Sequence, residues 1–202
     1  HLKEFKPDIV GITVIASEFP YAIGITRAVK RHDSGIVTVA GGLHATVCPY
    51  DFRDGSVDIV MPGQCAGIFM ELVRALETGR PRESVRGIYL NTGQGPVFTG
   101  PADANWDAAG GNFIFPDRSH LKRWISTYRA GGSPHPSTYI FTSLGCPYRC
   151  TFCSIWSQFG GRYHQRDVES VITELKMVDD YPVVRFADAN TIVNERFIDS
   201  LF

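Results

Sequence analysis

Short β-branched runs alternate with segments that carry apolar residues at helical spacing. This alternation narrows the fold of the first eighty residues more than any other feature. Ile9-Val10-Gly11-Ile12-Thr13-Val14 is a short continuous apolar run, as expected of a strand buried on both faces. Tyr21 to Arg31 then carries Ala22, Ile25 and Val29 at helical spacing, and Ile36-Val37-Thr38-Val39-Ala40 is a second strand-like run ending at Gly41-Gly42. A third strand is predicted at Asp58-Ile59-Val60-Met61. The helix after it has Ile68, Phe69, Leu72, Val73 and Leu76 on one face and Gly79 as its stop. Strands separated by helices of this length imply a parallel sheet with right-handed crossovers, the half-fold of a doubly wound, Rossmann-like α/β domain.

Three regions follow from the pattern: 1–80 as the Rossmann-like domain, 81–136 as hairpin and linker, and 137–202 as the start of a second α/β domain. Residues 1 to 7 read as the tail of a helix, so the first domain is expected to be N-terminally incomplete. Ile88-Tyr89-Leu90 and Pro96-Val97-Phe98-Thr99 read as a hairpin. Gly100 to Gly111 is a linker rich in Ala, Gly and Asp, and Phe115-Pro116-Asp117-Arg118 introduces a short helix over Ser119 to Ile125. The last region opens with a strand at Tyr139-Ile140-Phe141-Thr142. A helix with Val168, Val171, Ile172, Leu175 and Val178 on one face follows, with Asp167 near its start, where a carboxylate suits the helix dipole. Val183-Val184-Arg185-Phe186 is the next strand, Asp188 and Asn190 lie just past its end, and Glu195 to Phe202 begins another helix. This is the opening of a partial parallel (β/α) barrel, whose active site belongs at the C-terminal strand ends.

Between the first strand of that region and its helix stands Gly145-Cys146-Pro147-Tyr148-Arg149-Cys150-Thr151-Phe152-Cys153. Three thiolates on one loop can hold three irons of a cubane cluster and leave the fourth iron without a protein ligand. A structural zinc site wants four ligands. No fourth cysteine follows here, and His164, the nearest candidate, lies beyond the loop. Three clustered thiols cannot pair evenly as disulfides. The two other cysteines, Cys48 and Cys65, are scattered as structural cysteines are.

The Cys-x3-Cys-x2-Cys spacing, with an aromatic just before the last cysteine, resembles the radical S-adenosylmethionine (radical SAM) enzymes. The resemblance implies a four-iron four-sulfur (4Fe-4S) cluster on Cys146, Cys150 and Cys153, with S-adenosylmethionine chelating the open iron. It places Phe152 against the adenine of that cofactor; packing of the loop is the other reading of this ring. Asp188 and Asn190 fall where the family grips the methionine amino group, though both types are also common turn residues. In the first region, Thr13-Val14-Ile15 with Gly41-Gly42 is similar to the small-residue and double-glycine pair of cobalamin-binding domains, as is Gly41-Gly42-Leu43-His44-Ala45-Thr46. Thr13, Gly41 and Gly42 are thereby implied as cofactor-binding residues, because backbone must approach the nucleotide tail closely. The order of regions resembles the cobalamin-dependent radical SAM class over nearly the whole chain. Departures are Gly63-Gln64-Cys65-Ala66, where members often have Gly-Glu-Gly-Glu, and Ala189, which replaces a common acidic residue. A lone loop histidine such as His44 is more often a hydrogen-bonding group than a cobalt ligand.

What the resemblance implies is an enzyme that methylates an unactivated carbon by a radical route. Its cofactors would be the 4Fe-4S cluster, S-adenosylmethionine and cobalamin, and an electron donor such as flavodoxin or ferredoxin would reduce it. Cyclisation or rearrangement with a cobalamin-free scaffold domain is the alternative, as is an inactive cofactor-binding fragment. The substrate, small-molecule or lipid-like, would be bound by residues outside these 202, so this chain alone is expected to be inactive. Forty-four per cent hydrophobic and 20% charged residues can fill a core. A net charge of −1 provides no basic field for nucleic acid, and no apolar run reaches membrane-span length. Free cysteines without a secretory signal predict a reducing cytoplasm.

Overall fold

A computed structural model of the chain describes residues 2–102, 115–129 and 131–202. The predicted linker therefore lies, from residue 103 on, outside the described residues. The chain divides into two compact units, His1–Asn105 and Trp106–Phe202.

In the first unit a short helix α1 (Leu2–Phe5) precedes strand β1 (Ile9–Thr13), helix α2 (Phe19–His32) and strand β2 (Val37–Gly41). Then come helix α3 (Gly42–Val47), a 3-10 turn at Pro49–Phe52, strand β3 (Ile59–Val60) and helix α4 (Ala66–Glu77). The strands β1, β2 and β3 are parallel neighbours, with Thr13 opposite Gly41 and Ala40 opposite Val60. The hairpin predicted over residues 88–99 is present as β4 (Tyr89–Thr92) and β5 (Gly95–Phe98). It continues the same sheet antiparallel to β3, giving the order β1-β2-β3-β4-β5.

Strand periodicity explains the core. Val37, Val39, Ile59 and Met61 join Leu72 and Ala75 of α4 in one buried cluster. Ala40 and Val60 join Ala22 and Ile23 of α2, Ala45 of α3 and Phe52 in another. Successive side chains point to opposite faces, so helices cover both sides of the sheet. Helix α4 stops as predicted at Gly79, whose φ is +68°. The Gly79 N–H donates to the Leu76 carbonyl and that of Arg80 to the Ala75 carbonyl, a Schellman closure. One expectation fails: β1 is not buried on both faces. Among the described residues it is the edge of the sheet, and Gly11 and Thr13 are exposed.

In the second unit a 3-10 helix (Ser119–Thr127) takes the place of the short helix predicted over Ser119 to Ile125. Strands β6 (Ser137–Ile140) and β7 (Ser143–Gly145), helix α5 (Ile155–Gln158), strand β8 (Tyr163–Gln165), helix α6 (Val168–Met177), strand β9 (Val183–Phe186) and helix α7 (Glu195–Leu201) follow. The parallel pair β6–β9, crossed over by α6, is one βαβ unit, with Ile140, Val171, Val178, Tyr181 and Phe197 as its core. Asp167 caps α6, its carboxylate accepting from the Ser170 N–H at 2.8 Å. The strand expected over Tyr139 to Thr142 is corrected. Strand β6 ends at Ile140, the chain turns at Phe141 and Thr142, and β7 pairs antiparallel with β8. That pairing is between segments some twenty residues apart and leaves no local signature.

A buried ion network braces this unit. Glu174, 1% exposed, accepts from Arg166 at 2.5 Å and from Arg118 at 2.7 Å. The same Arg166 donates to the Phe141 carbonyl and Arg118 to the Tyr139 carbonyl, so both guanidinium groups grip the end of β6. Both carboxylate oxygens are satisfied, which a buried charge requires.

Candidate functional site

Strand β7 delivers the cysteine loop, and Gly145 is where it leaves the ribbon. Its φ is +81°, and a Cβ there would collide with the Arg162 carbonyl oxygen. Only glycine fits at this exit. Within the loop the Cys153 N–H donates to the Cys150 carbonyl at 3.1 Å, and the Trp156 indole donates to the same carbonyl at 3.2 Å. Cys146 and Cys153 are half-buried, Cys150 is exposed, and all three thiols are free. They do not lie within 4.8 Å of one another as a group. A cubane distributes three thiolates over three irons, whereas one tetrahedral ion draws its donors close together. Phe152 is 91% exposed.

Asp188 lies just past β9, at the same end of the β6–β9 pair as the turn into β7. It is fully engaged by the chain. Its Oδ1 accepts from the Thr142 N–H at 2.8 Å, the Ser143 N–H at 2.6 Å and the Ser143 hydroxyl at 3.1 Å. Its Oδ2 accepts from the hydroxyls of Thr142 at 2.9 Å and Thr191 at 3.2 Å. The carboxylate therefore clamps the turn that leads into the cysteine loop. Asn190 closes an Asx turn, its side-chain oxygen accepting from the Ile192 N–H at 3.2 Å. Tyr163 of β8 was not singled out from the sequence. Burial first, then the charges of Asp188 and Cys146, push its phenol up. The signal that could have drawn attention to this part of β8 is Gly160-Gly161, both at positive φ just ahead of it.

In the first unit Thr13, Gly41 and Gly42 come together at the C-terminal ends of β1 and β2. Thr13 is the register partner of Gly41. Gly42 has φ +89°, and a Cβ there would press on the Val14 backbone nitrogen and the Thr13 methyl, each 2.9 Å away. The chain itself thus demands glycine at 42, whereas Gly41 meets only the Met61 carbonyl at 3.7 Å. Cys65, in the departing Gly63–Ala66 stretch, packs against the α4 core cluster, and burial pushes its thiol up, as suits a structural cysteine.

Residues 1–73 match the family model described as a B12 binding domain. The chain is 32% identical to an uncharacterized methyltransferase of Pyrococcus horikoshii, over 96% of this chain and 42% of that protein. The first 73 residues of the chain are therefore similar to a B12 binding domain. The chain is also similar to the anaerobic magnesium-protoporphyrin IX monomethyl ester cyclase of Rubrivivax gelatinosus, 30% identical over 96% of this chain and 36% of that protein. The chain thus spans less than half the length of these relatives. Among solved structures, the radical S-adenosylmethionine methyltransferase TsrM from Kitasatospora setae has the same fold. Its TM-score is 0.72 at 22% identity, over 99% of this chain and 41% of that one. The cobalamin-dependent S-adenosylmethionine radical enzyme OxsB matches at TM-score 0.74 and 19% identity, over 99% and 29%. Among the described residues no helix is long and apolar enough to cross a membrane.

Proposed function

We propose that this chain is the cofactor-binding part of a cobalamin-dependent radical SAM methyltransferase acting on an unactivated carbon. The observation that carries the proposal is the cysteine loop: three free cysteines, one exposed and two half-buried, on the segment that follows β7, with an exposed phenylalanine between two of them. Cys146, Cys150 and Cys153 hold the three ligated irons of a 4Fe-4S cluster, and Phe152 offers its ring to the adenine of S-adenosylmethionine. When bound, these groups supply a reducing electron, a carbon-centred radical and, from cobalamin, a methyl group. The protein's share is positioning. Asp188, through Thr142 and Ser143, fixes the entry to the loop, and Asn190 fixes the turn beside it. Asp188 acts on the cofactor through the loop and not by direct contact, since its oxygens are already taken. Thr13 and Gly41 offer an accessible backbone edge to the cobalamin tail. Gly42 shapes that edge by letting α3 start against β1.

The βαβ unit β6-α6-β9 is the start of a partial (β/α) barrel, and the substrate, with its remaining contacts, belongs to residues outside this chain. An electron donor such as a flavodoxin or ferredoxin completes the system in the reducing cytoplasm. A cyclisation is the second reading, favoured by the cyclase among the relatives and by the loss of two carboxylates at Gly63–Ala66.

The test is anaerobic reconstitution with iron and sulfide. About four irons per chain and a brown chromophore are expected, both abolished in C146A/C150A/C153A. A colourless protein that retains zinc at the loop would refute the reading. Binding of hydroxocobalamin, seen as a shifted corrin spectrum, distinguishes the methyltransferase from the cobalamin-free alternative.

A further inference from the structure

The spacing of the cysteine loop occurs a second time. His44, Cys48 and Asp51 repeat donor-x3-donor-x2-donor on α3 and the 3-10 turn that follows it. One donor atom from each, a ring nitrogen, a sulfur and a carboxylate oxygen, lies within 4.8 Å of the other two. Helical winding brings them together. The Cys48 N–H donates to the His44 carbonyl at 2.8 Å and the Asp51 N–H to the Cys48 carbonyl at 3.1 Å, so positions one turn and two turns apart share a face. The His44 ring is fixed by packing, its centroid 4.9 Å from Phe19 and 5.6 Å from Phe52. Its Nε2 is buried and lies 3.0 Å from an Asp51 carboxylate oxygen, so two of the three donors already face each other.

We propose that His44, Cys48 and Asp51 form a binding site for a divalent transition-metal ion, with zinc the best chemical match. Imidazole nitrogen, thiolate sulfur and carboxylate oxygen are the donors zinc takes, and three protein ligands leave a fourth position for water. Bonds of about 2.0–2.3 Å around a tetrahedron set donors about 3.3–3.8 Å apart, within reach of rotamer changes at Cys48 and the exposed Asp51. Magnesium and calcium do not fit, because they take oxygen ligands. The ion would staple α3 to the turn that carries Phe52 into the core. This site goes beyond the proposed function and needs neither the cluster nor cobalamin.

The cysteine loop would also take the metal, so the test uses the metal-free 202-residue chain carrying C146A/C150A/C153A, titrated anaerobically with cobalt(II). One equivalent is expected to bind, with the visible bands of tetrahedral cobalt and a near-ultraviolet thiolate-to-cobalt band, and zinc should displace it. In that background Cys48→Ser should remove the thiolate band. Asp51→Asn should weaken binding at least about tenfold, the lower end of what even supporting residues contribute to a metal site. His44→Gln should abolish binding. Because that ring is packed between two phenylalanines, circular dichroism accompanies it, and the Cys48 and Asp51 variants decide if it unfolds. Absence of stoichiometric cobalt, or a cobalt spectrum indifferent to Cys48→Ser, overturns the proposal. Either result leaves the cluster reading untouched, since the loop thiols are absent throughout.

Discussion

Two segments of this chain share one donor spacing and put it to opposite geometric use. His44-x3-Cys48-x2-Asp51 is wound as helix and 3-10 turn, and its donors converge within 4.8 Å. Cys146-x3-Cys150-x2-Cys153 runs through a loop between β7 and α5, and its thiols do not gather within 4.8 Å of one another. The contrast teaches that spacing sets only how much chain separates the donors, while backbone conformation sets the distance between them. Converged donors suit one ion, and spread thiolates suit a cluster of several. Each segment follows a strand end where a glycine at positive φ lets the chain turn, Gly42 in one and Gly145 in the other.

The contrast can be broken most forcefully at Glu174. Glu174→Ala removes the buried carboxylate that Arg166 and Arg118 share, and should cost about 3–5 kcal/mol in the second unit, read by urea denaturation. Iron uptake at the cysteine loop should fall with it, while cobalt binding at His44, Cys48 and Asp51 should not. Next come the two glycines. Gly145→Ala and Gly42→Ala each combine positive φ with a backbone clash and should each cost more than about 2 kcal/mol. Gly145→Ala should impair only iron loading and Gly42→Ala only cobalt binding, so one variant affecting both would erase the distinction.

Asp188→Asn should cost about 1–3 kcal/mol, because Thr142 and Ser143 lose a charged acceptor in a buried turn. Slower or incomplete iron loading is expected, with the cobalt titration unchanged. The smallest effect is a pH dependence in the first unit. Hydrogen bonds from Arg27 and then Ser56 hold the Asp54 carboxyl at about 2, below its ordinary 3.8. A lowered acid contributes its stability fully above the unfolded value and loses it as pH falls through the folded one. Urea midpoints of the parent and Asp54→Asn should therefore differ at neutral pH, approach each other from about pH 4 downward and meet only below about pH 2.

Much of the architecture could be read directly from residues because the signals are local. The β-branched runs of β2 and β3, the apolar face of α4, its Gly79 stop and the Asp167 cap each depend on a few neighbouring positions. The cysteine loop was legible as a run of donors after a strand. Other features depend on which distant segment comes to lie alongside. The β7–β8 ribbon needs Ser143–Gly145 to meet Tyr163–Gln165, and the exposure of β1 follows from its place at the sheet edge.

The sequence alone determined the α/β class, the order of its strands and helices, and the presence of three thiols on one loop, since composition and periodicity act through the nearest turn of chain. Tertiary structure alone decided that Asp188 grips the loop entry, that Gly42 is needed by β1, and that His44, Cys48 and Asp51 converge. Those outcomes depend on hydrogen bonds and packing between residues that only the folded backbone brings within a few ångströms.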